Sequence, residues 1–155
     1  PNNVGGYYNW GDASGKNIDG EANPYDLPIQ MKSIAGSSLD IAAMNWGRGW
    51  RMPTSEEFQE LIDKCTWKMV NKRGEVPGYR VTGPSGKSIF LPFAGYRRGP
   101  AFFKQGVVGC YWSASPYTEA RQSAAYFLEM DGDVVSVSRG DFASTGYSVR
   151  PVLDK

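Results

Sequence analysis

From Trp67 to its end the chain is cut at short, fairly even intervals by turn residues, and that punctuation limits what it can become. The stretches between turns read as short strands. "TWKMV" leads into a turn around "NKRGEVPG". "YRVTG" is followed by the Pro/Gly turn "PSGKS". "SIFLPFAGYR" is apolar enough for an inner strand, and "GCYWSASP", "AAYFLEMD", "VVSVS" and "YSVRPVL" complete a meander-like run.

Ahead of this run lies one strong helix signal, "WRMPTSEEFQELIDKCTW". Thr54 is placed to cap it, and Glu57 three residues on can reach back to the cap's own N–H, which makes a capping box. Phe58, Leu61, Ile62 and Cys65 recur at i, i+3, i+4 and i+7, one apolar stripe. Glu56, Gln59, Glu60, Asp63 and Lys64 take the wet side, with the acids early and Lys64 late, as the helix dipole favours. A weaker helix is expected in "GSSLDIAAMNWG", capped by Ser37 or Ser38, with Leu39, Ala42 and Ala43 inward and Gly47 and Gly49 stopping it. Residues 1–36 read as loop with a short strand at "GGYYNWGD". Helices first and strands later predict an α+β fold with a largely antiparallel sheet. The 155 residues suit one domain, 1–155, with no repeat or interdomain linker.

Composition removes several functions. Lys plus Arg total 17 against 16 for Asp plus Glu, which makes no electrostatic case for nucleic acid or an anionic membrane. No apolar run is long enough to span a bilayer, so direct membrane insertion is not expected. Histidine is absent, which excludes His triads, His bases and His metal ligands. Cys65 and Cys110 form no C-x-x-C pattern, and Cys65 on an apolar stripe reads as a buried thiol rather than half of a disulfide. Glu56/Glu57 belong to a cap and a solvated helix face. Asp131/Asp133 in "MDGDVV" read as a hairpin turn. Ser113 and Ser115 have no histidine partner, and "GPSGKS" lacks the spacing of a phosphate loop. No catalytic residue, metal ligand or cofactor is assigned.

What remains is a surface of Tyr, Ser, Gly, Asn and Arg, residue types suited to recognition. Alternation puts Tyr126, Leu128 and Met130 on one face of "AAYFLEMD", read as buried, and Phe127, Glu129 and Asp131 on the other, read as exposed. Val135 and Val137 then point in while Ser136 and Ser138 point out. The expected ligand-binding set is Tyr111, Arg121, Gln122, Phe127, Glu129, Ser136, Ser138, Arg139, Asp141, Phe142, Ser144 and Thr145. "YRRGPAFFKQ" either flanks this set through Arg98, Phe102 and Phe103 or packs its phenylalanines inward.

Four stretches occur in order: "MNWGRGWRMPTSEEFQELIDKCTW", "GYRVTGPSGKSIFLPFAGYR", "GCYWSASPY" and "GYSVRPV". Together they resemble a family of surface-associated domains of gut Bacteroidales, related to the Fibrobacter succinogenes major paralogous domain, over residues 5 to 153. The family's "YYWSSSP" falls on Cys110 to Pro116, with cysteine at the first tyrosine and Ala114 at a serine; Gly146 to Val152 match its terminal framework. The resemblance implies a C-type lectin-like fold, two helices and twisted antiparallel sheets with a loop-rich C-terminal face. It also implies a secreted or cell-surface location, with a phage particle as another setting. The chain would be the C-terminal part of a longer, anchored protein, and its partner a protein or glycan on another cell, phage or host surface. Glu-Pro-Asn, Gln-Pro-Asp and Trp-Asn-Asp do not occur, so calcium-dependent sugar binding is not expected. Formylglycine-generating enzymes share the broad fold, and their "WRLPTEAEWE" is similar to "WRMPTSEEFQ", but they need an active-site cysteine pair. A structural tip or cap subunit of a surface fibre is the remaining alternative.

Some members of the family are variable proteins of diversity-generating retroelements, in which adenine-directed errors rewrite codons near the 3′ end. Asn codons changed at their adenines cannot reach Lys, Glu, Gln, Met or Trp, and residues 131–147 contain none of these five. The Arg139-Gly140-Asp141 tripeptide is read accordingly as one chance outcome in a tolerant loop rather than an adhesion signal.

Overall fold

The computed structural model describes residues 4–16, 31–119 and 123–154, with the backbone alone at 140 and 141. Its helices are α1 (Ile41–Trp46) and α2 (Ser55–Lys64). Its strands are β1 (Trp50–Arg51), β2 (Thr66–Val70), β3 (Gly78–Thr82), β4 (Ser88–Pro92), β5 (Tyr96–Arg98), β6 (Ala101–Phe103), β7 (Val108–Pro116), β8 (Ala124–Asp131), β9 (Val134–Phe142) and β10 (Val152–Leu153). The described chain is thus α+β, and its strands pair antiparallel in four small sheets: β1-β10, β2-β3-β4, β5-β6 and β7-β8-β9.

α2 forms as the sequence predicts. Thr54 Oγ1 accepts from Glu57 N at 3.2 Å, and Glu57 Oε2 accepts from Thr54 N at 2.9 Å. Of its stripe, Phe58 is fully buried while Leu61 and Ile62 pack half-buried; Cys65 is the C-cap. α1 is capped differently from the expectation. Its N-cap is Asp40, not Ser37 or Ser38. The buried Asp40 carboxylate accepts from Ala42 N and Ala43 N, and also from Gly36 N and Met52 N. It therefore joins the turn before α1, the helix and the segment after β1. The serine hydroxyl at Ser37 instead bonds the Ile34 carbonyl within that turn.

"SIFLPFAGYR" is not one strand. It breaks into β4 and β5 at Gly95, where φ is +70° and an added Cβ would overlap the Phe103 carbonyl oxygen. β5 then turns back as β6, so "YRRGPAFFKQ" forms a hairpin. "GGYYNWGD" contributes a single bridge, Tyr8 to Tyr147.

The β7-β8-β9 sheet has a hydrophobic cluster on each face. On one, Tyr111, Leu128 and Met130 meet Phe58 of α2 and Tyr79, Val81, Leu91 and Phe93 around β3 and β4, with Val135 and Val137 half-buried against them. On the other, Cys110, Trp112, Ala114 and Phe127 meet Trp10, Ile34, Ile41, Ala143 and Tyr147. Alternation along the strands accounts for which side chain joins which cluster. The second layer comes from segments with little regular structure. Trp10 Nε1 donates to the Ser113 carbonyl at 2.7 Å, and Trp112 Nε1 donates to the Tyr8 carbonyl at 2.8 Å, so those segments are tied to β7.

Candidate functional site

The second cluster covers only part of its face. Register places Cys110, Glu129 and Ser136 in one row across the sheet and Trp112, Phe127 and Ser138 in the next. The Tyr147 ring lies 4.4 Å from Trp112 and 4.8 Å from Phe127, forming a floor. Tyr96 touches Tyr147 edge-on at 6.3 Å, stacks on Phe103 at 5.5 Å and carries the Arg98 guanidinium over its ring at 5.3 Å. Beyond the floor on the other side, Ser138 Oγ donates to Glu129 Oε2 at 2.6 Å and shares a 3.2 Å hydrogen bond with Ser136 Oγ. One face thus presents an aromatic and cationic rim from the β5-β6 hairpin and a polar row from β8 and β9, over a buried aromatic base.

The other phenylalanine of the hairpin points the other way. Phe102 is 56% exposed and meets Tyr7 at 5.1 Å. Tyr7 Oη donates to the Ala94 carbonyl and accepts from Gln105 Nε2, which ties the N-terminal segment to the hairpin. Phe102 and Phe103 are both exposed, so the reading in which they pack inward is not the one observed.

The structure sorts the sequence-predicted residues. Glu129, Ser136 and Ser138 come together as described. Arg139 and Phe142 are exposed further along β9 or at its end, and Ser144 is half-buried. Tyr111, Phe127 and Thr145 are corrected. They are 3%, 6% and 4% exposed and belong to the interior. Tyr111 faces α2's side of the sheet, donates its hydroxyl to the Pro92 carbonyl at 2.8 Å, and is held by burial well above the usual phenol range. Phe127 does lie on the face opposite Leu128, as alternation predicted, but Trp112 and Tyr147 cover it. Tyr126, expected inside, is half-buried and packs its ring on Tyr117 at 5.4 Å. Arg121 and Gln122 lie outside the described residues, as does the side chain of Asp141.

Arg139-Gly140-Asp141 lies within β9, not in a loop: Asp141 is opposite Ala125 and Ser138 opposite Phe127. Sequence reasoning passed over Tyr96 and Lys104. Tyr96 carries the rim; its signal was the alternation Tyr96/Arg98 beside a Gly-Pro turn. Lys104 is the one non-glycine residue with positive φ among the described residues, at 50°, and it closes the turn from β6 into β7.

Other candidate chemistry resolves into structure. Glu57 binds Arg51 through both oxygens at 2.7 and 2.8 Å, and that hydrogen bonding holds its carboxyl below the ordinary range. Asp131 and Asp133 are exposed either side of Gly132. Ser113 is buried and donates to the Tyr126 carbonyl. No disulfide joins Cys65 and Cys110; they belong to clusters on opposite faces of the sheet. No protein-family model, curated protein or solved structure matches the chain.

Proposed function

We propose that this chain is a non-enzymatic binding module of C-type lectin-like fold, displayed at a cell surface or on a secreted or phage particle, whose ligand is a protein or glycan on another surface. The recognition surface is the partly covered face of β7-β8-β9, with Tyr96, Arg98 and Phe103 on one side and Glu129, Ser136 and Ser138 on the other. The observation that carries the reading is the division of this face. A packed aromatic base of Trp112, Phe127 and Tyr147 sits under the exposed Arg98 and Phe103 and the half-buried Tyr96, Glu129, Ser136 and Ser138. Aromatic and Arg groups on a rigid base lose little conformational freedom on binding, and Ser hydroxyls adapt to varied partners.

The sequence resemblance to the Bacteroidales surface domains supports this reading. So does the lack of residues unreachable by adenine mutagenesis in 131–147, which further suits a retroelement-diversified protein. A formylglycine-type reaction has no support, because Cys65 and Cys110 do not share a pocket.

The test is deep sequencing of the gene across a population of source cells or phage, paired with a surface-capture assay. Substitutions should concentrate at Ser136, Ser138, Arg139, Phe142 and Ser144, wherever the template copy carries adenine in the matching codon, while Trp112, Phe127, Tyr147 and Val149 stay fixed. An invariant segment would end the diversification reading. On a glycan and cell-surface-protein array, Phe103→Ala and Glu129→Ala should abolish whatever the wild-type domain captures. Capture unchanged in both variants would move the binding surface elsewhere.

A further inference from the structure

β9 is the outer strand of its sheet. β8 pairs with one side of it, and among the described residues no strand pairs with the other. α2 packs on one face of the sheet, and among the described residues nothing pairs with the outer edge of β9. An open edge offers a row of N–H and C=O groups to any strand that can align with it.

The usable part of this edge is short and well defined. Register with β8 is regular from Val134, opposite Asp131, to Ser138, opposite Phe127. Beyond that, two residues advance on β8, from Phe127 to Ala125, while three advance on β9, from Ser138 to Asp141. This bulge at Arg139-Gly140 bends the strand and ends regular pairing.

The regular segment is self-complementary. Turned end for end about Ser136, Val134 meets Ser138, Val135 meets Val137, and Ser136 meets its own copy. The flanking Asp133 then meets Arg139. Both are exposed, and neither takes part in an ion pair among the described residues. They also lie on the same side of the strand. Asp133, Val135, Val137 and Arg139 are spaced two apart, which puts them on the α2 side, where Val135 and Val137 pack.

We propose that two copies of this chain pair through β9, antiparallel about a two-fold axis at Ser136, joining their three-stranded sheets into one continuous sheet. Other centres fit less well. Moving the axis one residue either way cuts the overlap of the regular segment from five residues to three. An axis between residues would place each valine opposite a residue from the other face. Charges on edge strands commonly keep copies apart. Here they stand at the two ends, have opposite signs, and match under the two-fold, so they attract twice. Val134, 60% exposed on the edge strand, gains a cross-strand neighbour in Ser138. A contact of this size belongs to the weak, reversible class of interfaces. The pairing leaves the polar row on its own face and sets the Ser136 side chains of the two copies next to each other there.

The experiment is sedimentation velocity from about 10 to about 500 µM, where a small interface titrates. The wild type should shift from monomer to dimer across the range. Asp133→Arg and Arg139→Asp should each weaken dimerisation about tenfold, since each turns two attractive pairs repulsive. The double variant should restore it. In a Cys65→Ala background, Ser136→Cys should form a disulfide-linked dimer under mild oxidant. Ser138→Cys should not, because its two copies would stand about 13 Å apart along the ladder. A monomer at every concentration, a dimer indifferent to both charge reversals, or equal cross-linking by Ser136→Cys and Ser138→Cys would each overturn the proposal.

Discussion

Replacing Asp40 with alanine tests the claim that one buried carboxylate holds three segments together. The side chain is inaccessible and accepts from four backbone N–H groups: Gly36 at 2.7 Å, Ala42 at 2.8 Å, Ala43 at 3.1 Å and Met52 at 3.0 Å. Loss of an ordinary N-cap costs about 1 kcal/mol. Here the Met52 and Ala42 donors are buried and cannot turn to water, and each stranded donor adds about 1 to 3 kcal/mol. Gly36 is exposed and rehydrates at little cost. The expected loss for Asp40→Ala is therefore about 4 kcal/mol, a large share of the total stability of a domain this size. Asp40→Asn keeps one acceptor oxygen and should lose about 2 kcal/mol. Thr54→Ala, which removes an ordinary cap, is the yardstick at about 1 kcal/mol. Urea unfolding followed by tryptophan fluorescence reads all three. If Asp40→Ala costs no more than Thr54→Ala, the carboxylate is only a helix cap and the tie to Gly36 and Met52 contributes nothing.

Phe127→Ala should destabilise by about 3 to 5 kcal/mol in the same assay, the cost of emptying a packed aromatic site. Phe102→Ala should stay within about 0.5 kcal/mol of wild type, as befits an exposed ring. Gly95→Ala should cost at least about 2 kcal/mol, because a Cβ there meets both a left-handed backbone and the Phe103 carbonyl. Glu57 has a depressed carboxyl pKa in the folded state, chiefly through Arg51, relative to the ordinary 4.5. Its stabilising contribution is thus present above that value and lost as pH falls through the folded pKa. Thermal melts from pH 7 downward should show a shallower acid decline for Glu57→Gln than for wild type; identical slopes would refute the assignment.

Much of the framework was legible because it rests on local rules. The capping box at Thr54 and Glu57, the apolar stripe on α2 and the Asp-Gly-Asp turn between β8 and β9 depend on residues a few positions apart. Alternation also separated Phe127 and Glu129 from Leu128 and Met130 correctly. It could not say that the second face is covered in part. That depends on Trp10, Ile34 and Tyr147 coming from distant, irregular segments to lie over Trp112 and Phe127. Hence Tyr111 and Phe127, good recognition residues by type, are core residues by position. The cap of α1 was missed for a related reason. Ser37, Ser38 and Asp40 are all capping residues by type, and the choice among them fell to Asp40, whose carboxylate also reaches Met52 twelve positions away. The Arg-Gly-Asp tripeptide became part of a strand through its pairing with β8. The sequence by itself determined the elements, their periodicity and their turns, because these follow from the backbone preferences of neighbouring residues. Only the tertiary structure decided which faces were left open, because burial is set by whatever the rest of the chain brings to rest on them.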